Sequence, residues 1–152
     1  MPSRSREETA LAVLTAARTV VERGWVRNTW YVTEARTGRP GLLDRLFPGR
    51  VDHSRVVSAC LVGAVMHAAW QQSRRPERAY PAVDALWNTL FETGREVGPL
   101  CPPLVRAARV RDLTTWNDAN HRTRQDVLRL LDEATDRVRR QVASFLPPSY
   151  AS

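Results

Sequence analysis

The sequence predicts an all-α fold, a single-domain bundle of about four main helices in which one helix is central and buried. Apolar side chains recur at helical spacing near both ends of the chain. The stretch from Val56 to Trp70 is apolar or small nearly all round, as expected of a helix with no exposed face. With 152 residues, 43% of them hydrophobic, the chain has material for one core. We expect one domain over residues 1–152, with its core at about 5–146 and a loose tail at 147–152.

The first helix is predicted over about residues 6–23. Ser5 and Glu8 have the spacing of a capping box, in which a hydroxyl and a carboxylate bind the free backbone N–H groups at the start of a helix. Gly24 is the residue type that most often ends a helix. Between them, apolar residues recur every three or four positions, at Leu11, Leu14, Ala17 and Val21.

Residues 25–52 are the least regular part of the sequence. Trp25–Val26 and Thr29–Thr33 are rich in aromatic and β-branched residues, which favour extended backbone. They predict either a short extended piece or aromatic side chains laid over the core. A turn is expected at Gly38–Gly41, followed by one helical turn between Gly41 and Phe47. A loop of this length inside a compact domain is often functional or mobile.

The central helix is predicted over about residues 54–72, with Asp52 or Ser54 as its N-terminal cap. It is too short for a membrane span, and the polar run Gln71–Arg75 follows it. We therefore expect it to be buried inside the protein.

The remaining helices are marked by prolines and a cap. Pro81 fits the first turn of a third helix. After further prolines, Leu104 to Val110 is expected as a short helix. Thr123 opens a long amphipathic helix that Pro147 and Pro148 end.

The net charge of +7 suggests a polyanionic partner, but all 23 basic residues are arginine. The chain contains neither lysine nor isoleucine, a pattern that codon choice in a high-GC genome produces. The charge therefore indicates nucleic-acid binding only weakly, because a basic face supplies just the sequence-independent part of that binding. The arginines available for that role are Arg74, Arg75 and Arg78, and the group Arg106, Arg109 and Arg111.

The sequence also indicates a compartment. Residues 1–8 are polar and mixed in charge, unlike a secretory signal. Two cysteines, Cys60 and Cys101, are too few for a disulfide framework and are typical of a reducing environment. We expect a cytoplasmic protein without membrane contact.

Two stretches carry residues capable of chemistry. In the first, Cys60, Gly63, Ala64 and His67 share one face of the central helix. The favoured interpretation is a close helix–helix contact at Gly63, with Cys60 as a small hydrophobic residue and His67 as a hydrogen-bonded core histidine. The alternative is a small pocket with His67 as base or ligand and Cys60 as thiolate.

The second stretch is Trp116–Thr123, interpreted as a loop that an indole pins to the core. Asn117 and Asp118 bind nearby backbone N–H groups in many turns, and that structural role is the favoured interpretation. The alternative is that Asn117, Asp118 and His121, beside Trp116 and Arg122, converge on a ligand. No pair of histidines or cysteines has the spacing of a known metal site, so we expect neither metal nor cofactor.

Gly24-Trp25 after the first helix, Cys60-Leu61-Val62-Gly63-Ala64 at the second, and Trp116-Asn117-Asp118 before the last helix form one pattern. It resembles a family of small actinobacterial and actinophage proteins known only as a domain of unknown function, over about residues 8–140. The chain departs from that pattern in a longer stretch between Trp25 and Cys60. The resemblance implies an all-α fold and a high-GC bacterial or phage source, and it implies no activity.

Three functional hypotheses follow. The leading one is a helical interaction or accessory protein without chemistry of its own, which binds a protein partner or forms a homodimer. The alternative is a small enzyme or small-molecule-binding protein, with a pocket between the Cys60–His67 helix face and the Trp116–Thr123 loop. Nucleic-acid binding through arginine is the further alternative.

Overall fold

A computed structural model describes residues 4–34, 46, 51–91 and 102–146 of the chain. Most of these residues are helical, which confirms the predicted class. The number of helices differs from the prediction, because the described residues form five rather than four. They are α1 (Arg4–Arg23), α2 (Leu61–Ser73), α3 (Tyr80–Phe91), α4 (Pro103–Asp118) and α5 (Arg124–Ser144).

A small antiparallel sheet accompanies the helices. Its strands are β1 (Tyr31–Thr33) and β2 (Val56–Ala59), and Tyr31 pairs with Ala59. Trp25 joins the same edge through an isolated bridge to Ala59. The short extended piece that the β-prone residues allowed is therefore present, and it pairs with a segment predicted to be helical.

The predicted start of the central helix at residue 54 is wrong. Residues His53–Arg55 form a 3₁₀ turn capped by Asp52, whose carboxylate accepts from the Ser54 N–H. The β-branched Val56 and Val57 then extend into β2, where pairing with β1 satisfies backbone groups that a helix would otherwise use. Helix α2 begins only at Leu61, after Cys60.

The core lies between α1, α2 and α5. Helix α2 is buried along most of its length, as predicted for the central helix. Helix α1 packs against both α2 and α5, and α3 closes the side next to α5. The fully buried large side chains include Leu14, Val21, Leu61, Val65, Leu86, Leu113, Val127 and Leu131.

Other helix boundaries also correct the prediction. Helix α1 already includes Arg4, so Ser5 lies inside the helix and its carbonyl accepts from Thr9. Helix α4 continues through Asp118, so Trp116 to Asp118 is the end of a helix and not a loop. Thr123 does cap α5, in a reciprocal capping box with Asp126. The turn predicted at 38–41, Cys101 and the tail at 147–152 lie outside the described residues.

Gly63 lies where another backbone approaches α2 most closely. A Cβ at this position would lie 2.2 Å from the carbonyl oxygen of Trp30, whose oxygen also accepts from the Cys60 N–H at 3.0 Å. The segment leading into β1 therefore crosses this face of α2. The expected close contact exists, but its partner is the backbone bend that precedes β1 and not a helix.

We expect Gly63→Leu to lower the free energy of unfolding by about 3 kcal/mol or more, at the upper end for overpacking, because a backbone carbonyl cannot move aside as a side chain can. Urea unfolding measures the change. Ala107→Leu, on the exposed face of α4, is the control and should change stability by less than about 0.5 kcal/mol. Equal stability of the two variants would contradict the close approach of Trp30.

Candidate functional site

Asn117 is fully buried at the end of α4 and uses its whole amide group. Its Oδ1 accepts from the indole N–H of Trp25 at 2.8 Å and from the backbone N–H of Leu61 at 3.1 Å. Its Nδ2 donates to the carbonyl of Val26 and to Asp118. Asn117 therefore ties α4, the chain after α1 and the first residue of α2 together.

Cys60 and Asp118 complete this junction at the start of α2. The Cys60 sulfur accepts from the Gly63 N–H at 3.3 Å and caps the helix. Burial raises the pKa of the Cys60 thiol, which keeps it protonated near neutral pH. Asp118 accepts from the backbone N–H of Asn28, a residue with a φ of 62°. All three polar side chains at the junction therefore have hydrogen bonds within the protein.

His67 lies further along α2 and contacts another histidine. Its Nδ1 is 2.8 Å from Nδ1 of His53 in the 3₁₀ turn. The ring planes differ by 20° and their centroids are 5.1 Å apart, so the small rings meet edge to edge. One imidazole must donate and the other accept, so the neutral pair holds one proton between these two nitrogens.

Aromatic rings surround this histidine pair. Trp70 stacks on His53 with ring centroids 4.5 Å apart, and Tyr31 meets His53 edge-on at 5.3 Å. The guanidinium of Arg74 also lies over the Trp70 ring, 3.8 Å from the ring centroid. We call His53, His67, Tyr31 and Trp70 the histidine cluster.

Burial keeps the histidine cluster uncharged at neutral pH. Burial lowers the pKa of both imidazoles. At His53, the negative charge of Asp52 opposes this shift, and the positive charge of Arg74 adds to it. His53 and Arg23 add to the lowering at His67. Burial also raises the pKa of Tyr31 to about 12. The two neutral imidazoles therefore share one N–H···N hydrogen bond, and the phenol of Tyr31 stays protonated.

Trp116 and Arg122 form a third arrangement. The Arg122 guanidinium lies 3.8 Å from the Trp116 ring centroid, and its Nε donates to the Trp116 carbonyl at 2.9 Å. His121 is exposed beside them. Trp116 and Arg122 border a cleft of about 240 Å³ together with Thr89, Leu90, Asp126, Arg129, Leu130 and Glu133.

The structure therefore distributes the residues singled out from the sequence over three places. Cys60, Asn117 and Asp118 meet at the start of α2, His67 pairs with His53, and Trp116 with Arg122 borders the cleft. The sequence analysis missed the roles of His53 and Tyr31. Both residues lie outside the predicted central helix, and only the folding of β1 and of the 3₁₀ turn brings them to His67.

Two further features concern metals and membranes. Across the residues that the structure describes, no group of three or more His, Cys, Asp or Glu side chains is placed to hold a metal ion. None of the helices in the same residues has the length and apolar character that crossing a membrane requires.

The histidine pair predicts a pH-dependent stability. Because both folded-state pKa values lie below the ordinary value of about 6.5, the unfolded chain takes up protons first as pH falls, and stability is lost. We expect the free energy of unfolding to fall between about pH 7.5 and pH 5.5, above the range in which carboxylates titrate.

Urea unfolding at several pH values measures this dependence. His67→Gln should flatten it, because the variant loses the buried imidazole, whereas His121→Gln should leave it unchanged since His121 is exposed. A steep loss of stability that persists in His67→Gln would contradict the assignment to the pair.

A family model described as "Family of unknown function (DUF6197)" matches residues 5–137. Neither the curated proteins nor the solved structures include a match. Because the family model covers most of the sequence, the chain belongs to this family of unknown function.

Proposed function

We propose that this protein acts as a helical interaction protein and associates with a second copy of itself through the outer face of α1. The observation that carries the proposal is a shallow groove of about 520 Å³ along that face. It is lined by Leu11, Ala12, Thr15, Ala16, Thr19, Gln72 and Arg139. Most of these side chains are small, so the backbone of another helix can come close to α1.

A second copy is the occupant that this face fits best. In a two-fold dimer the same patch packs against itself, and the small residues of α1 are spaced so that two α1 helices can cross closely. The groove has charges of both signs near its edges, since Arg139 pairs with Asp136 and Arg18 pairs with Asp132. A self-contact therefore does not bring together charges of one sign only.

The test is the mass in solution by light scattering over a range of protein concentrations. The dimer should have about twice the chain mass of 17.2 kDa. Thr15→Arg should give a monomer because it places a long cation in the groove, and Thr115→Arg, the same change at an exposed position of α4, should leave the dimer intact. A wild-type protein that stays monomeric at every concentration would contradict the proposal.

The cleft beside Trp116 supports a second candidate function, the binding of a small molecule. The cleft approaches the lower end of the usual ligand-pocket range, about 300–1,000 Å³. Its polar walls come from two arginines and two carboxylates, with Trp116 half-buried between them. A small zwitterion such as an amino acid has the charges of both signs that these walls can pair.

Substitution of Trp116 separates a structural from a binding role. If the indole only anchors α4, Trp116→Phe should be mild and Trp116→Ala should cost about 3–5 kcal/mol. If it lines a ligand site, Trp116→Phe should keep the melting temperature yet lose the stabilisation that a bound compound gives.

Thermal unfolding of wild type and Trp116→Phe with a panel of amino acids and related zwitterions makes the distinction. Val105→Ala, at an exposed apolar position of the same helix, is the control for loss of apolar surface. If no compound stabilises the wild type and Trp116→Ala collapses the fold, the binding role is excluded.

Of the three functional hypotheses, nucleic-acid binding has the least support from the positions of the arginine side chains. Arg109 is buried and paired with Asp84, and Arg106 contacts the same carboxylate. The Arg109 guanidinium is therefore not available to a nucleic-acid backbone. Of the arginines predicted for this role, those that are exposed are Arg74, Arg75, Arg78 and Arg111, so the basic surface left for nucleic acid is smaller than predicted.

A further inference from the structure

Three arginines converge on one buried carboxylate at one end of the bundle. Asp84 of α3 is almost completely buried, and its Oδ1 accepts from Arg109 at 2.7 Å. Its Oδ2 accepts from Arg6 of α1 and lies 3.5 Å from Nη2 of Arg106. We call Asp84, Arg6, Arg106 and Arg109 the arginine cluster.

The charges in this cluster do not balance. Three guanidinium groups share one carboxylate, so two positive charges have no counter-charge within the cluster. The side chains of Arg6, Arg106 and Arg109 are only 22%, 16% and 4% exposed, so water screens them poorly. A buried charge without a partner is costly, and a bound anion would remove that cost.

Donor groups of the cluster are also unused. The Nε atoms of Arg106 and Arg109 are buried and have no hydrogen-bond partner among the described residues. Buried donors in folded proteins are nearly always paired, so an unpaired one calls for an unseen partner. Arg109 as a whole residue is only 3% exposed, so bulk water is not an easy partner for its Nε.

The fold adds to the positive potential at this place. Arg6 lies in the first turn of α1, Arg106 in the first turn of α4, and Asp84 in the second turn of α3. The side chains that meet at the arginine cluster therefore come from the first or second turn of three helices. The N-terminus of a helix carries a partial positive charge and favours an anion.

Aromatic rings hold two of the guanidinium groups in place. Arg106 lies 4.2 Å from the centroid of the Tyr80 ring, and Arg109 lies 4.7 Å from that of Trp87. Trp87 is fixed in turn by a 3.0 Å hydrogen bond from its indole N–H to Asp112. These contacts pre-organise the donors, so that binding an anion need not order flexible side chains.

Two acidic residues flank the cluster without pairing with its arginines. Glu7 follows Arg6 on α1 and is buried, and its Oε2 has no hydrogen-bond partner among the described residues. Asp112 accepts from Trp87 and not from a guanidinium. Arg6 and Arg106 retain solvent-exposed surface, so an anion can reach the cluster from outside.

We propose that the arginine cluster is a binding site for a phosphate group. The two negative charges of phosphate match the two positive charges of the cluster that Asp84 does not neutralise. Arg6 and Arg106 bind it at the surface, and Arg109 holds Asp84 in place beneath them. This site is separate from the α1 groove, and its failure would leave the self-association proposal untouched.

The first test is thermal unfolding in inorganic phosphate against sodium chloride of equal ionic strength. Phosphate should raise the melting temperature in a saturable way, as a ligand of the folded state does. Arg106→Gln should abolish this rise, and Arg111→Gln, on the exposed side of the same helix, should keep it. O-phosphoserine as a second probe distinguishes free phosphate from a phosphomonoester.

A variant that removes another positive charge from the arginine cluster provides the second test. It keeps the proposal falsifiable if Arg106→Gln fails to fold. Arg6→Gln removes a partly exposed guanidinium and leaves the buried Asp84–Arg109 pair intact, so calorimetry should show phosphate binding at least about tenfold weaker than in wild type, equivalent to about 1.4 kcal/mol. Equal stabilisation of wild type by phosphate and chloride would overturn the proposal, and so would binding that neither variant changes. The solution mass, measured alongside, reports separately on the α1 dimer.

Discussion

The structure depends on the hydrogen bonds of one buried amide. Asn117 connects the end of α4, the backbone and indole of the Trp25 segment, and the first N–H of α2. These three segments are far apart in the sequence, and the amide acts there together with the isolated bridge between Trp25 and Ala59. Loss of this side chain would leave several buried polar groups without partners, each at a cost of about 1–3 kcal/mol. The single amide therefore sets where α2 begins and where the β1–β2 sheet can lie over it.

Arginine suits the places that many of the basic side chains of this protein occupy. All 23 basic residues are arginine, and codon choice in a high-GC genome remains our prediction for the absence of lysine. Within the described part of the chain, four guanidinium groups lie less than 5 Å from aromatic ring centroids, on Trp70, Tyr80, Trp87 and Trp116. A planar cation stacks on a ring in a way that an ammonium group does not. The net charge of the chain is therefore a poor measure of the charge available to a partner.

The sequence predicted the helical class and the central buried helix because both follow from the local spacing of apolar residues. It failed at the start of α2, where the pairing of Val56–Ala59 with β1 outweighs the helical pattern. It also took Trp116–Asp118 for a loop, because asparagine and aspartate favour turns and the partners of Asn117 are distant in sequence. The histidine cluster and the arginine cluster were out of reach for the same reason, since their members come from separate elements.

Cys60, His67 and Asn117 most resembled active-site residues in the sequence, and their roles follow from the burial of α2. A helix without an exposed face must satisfy its first N–H groups and its polar side chains inside the protein. Cys60 and Asn117 do so at its start, and His53 does so for His67. At its other end, Arg74 adopts a φ of 58° and its N–H donates to Trp70. Because these groups are occupied in holding the helix, function is best sought on the outer surfaces, where the α1 groove, the Trp116 cleft and the arginine cluster lie.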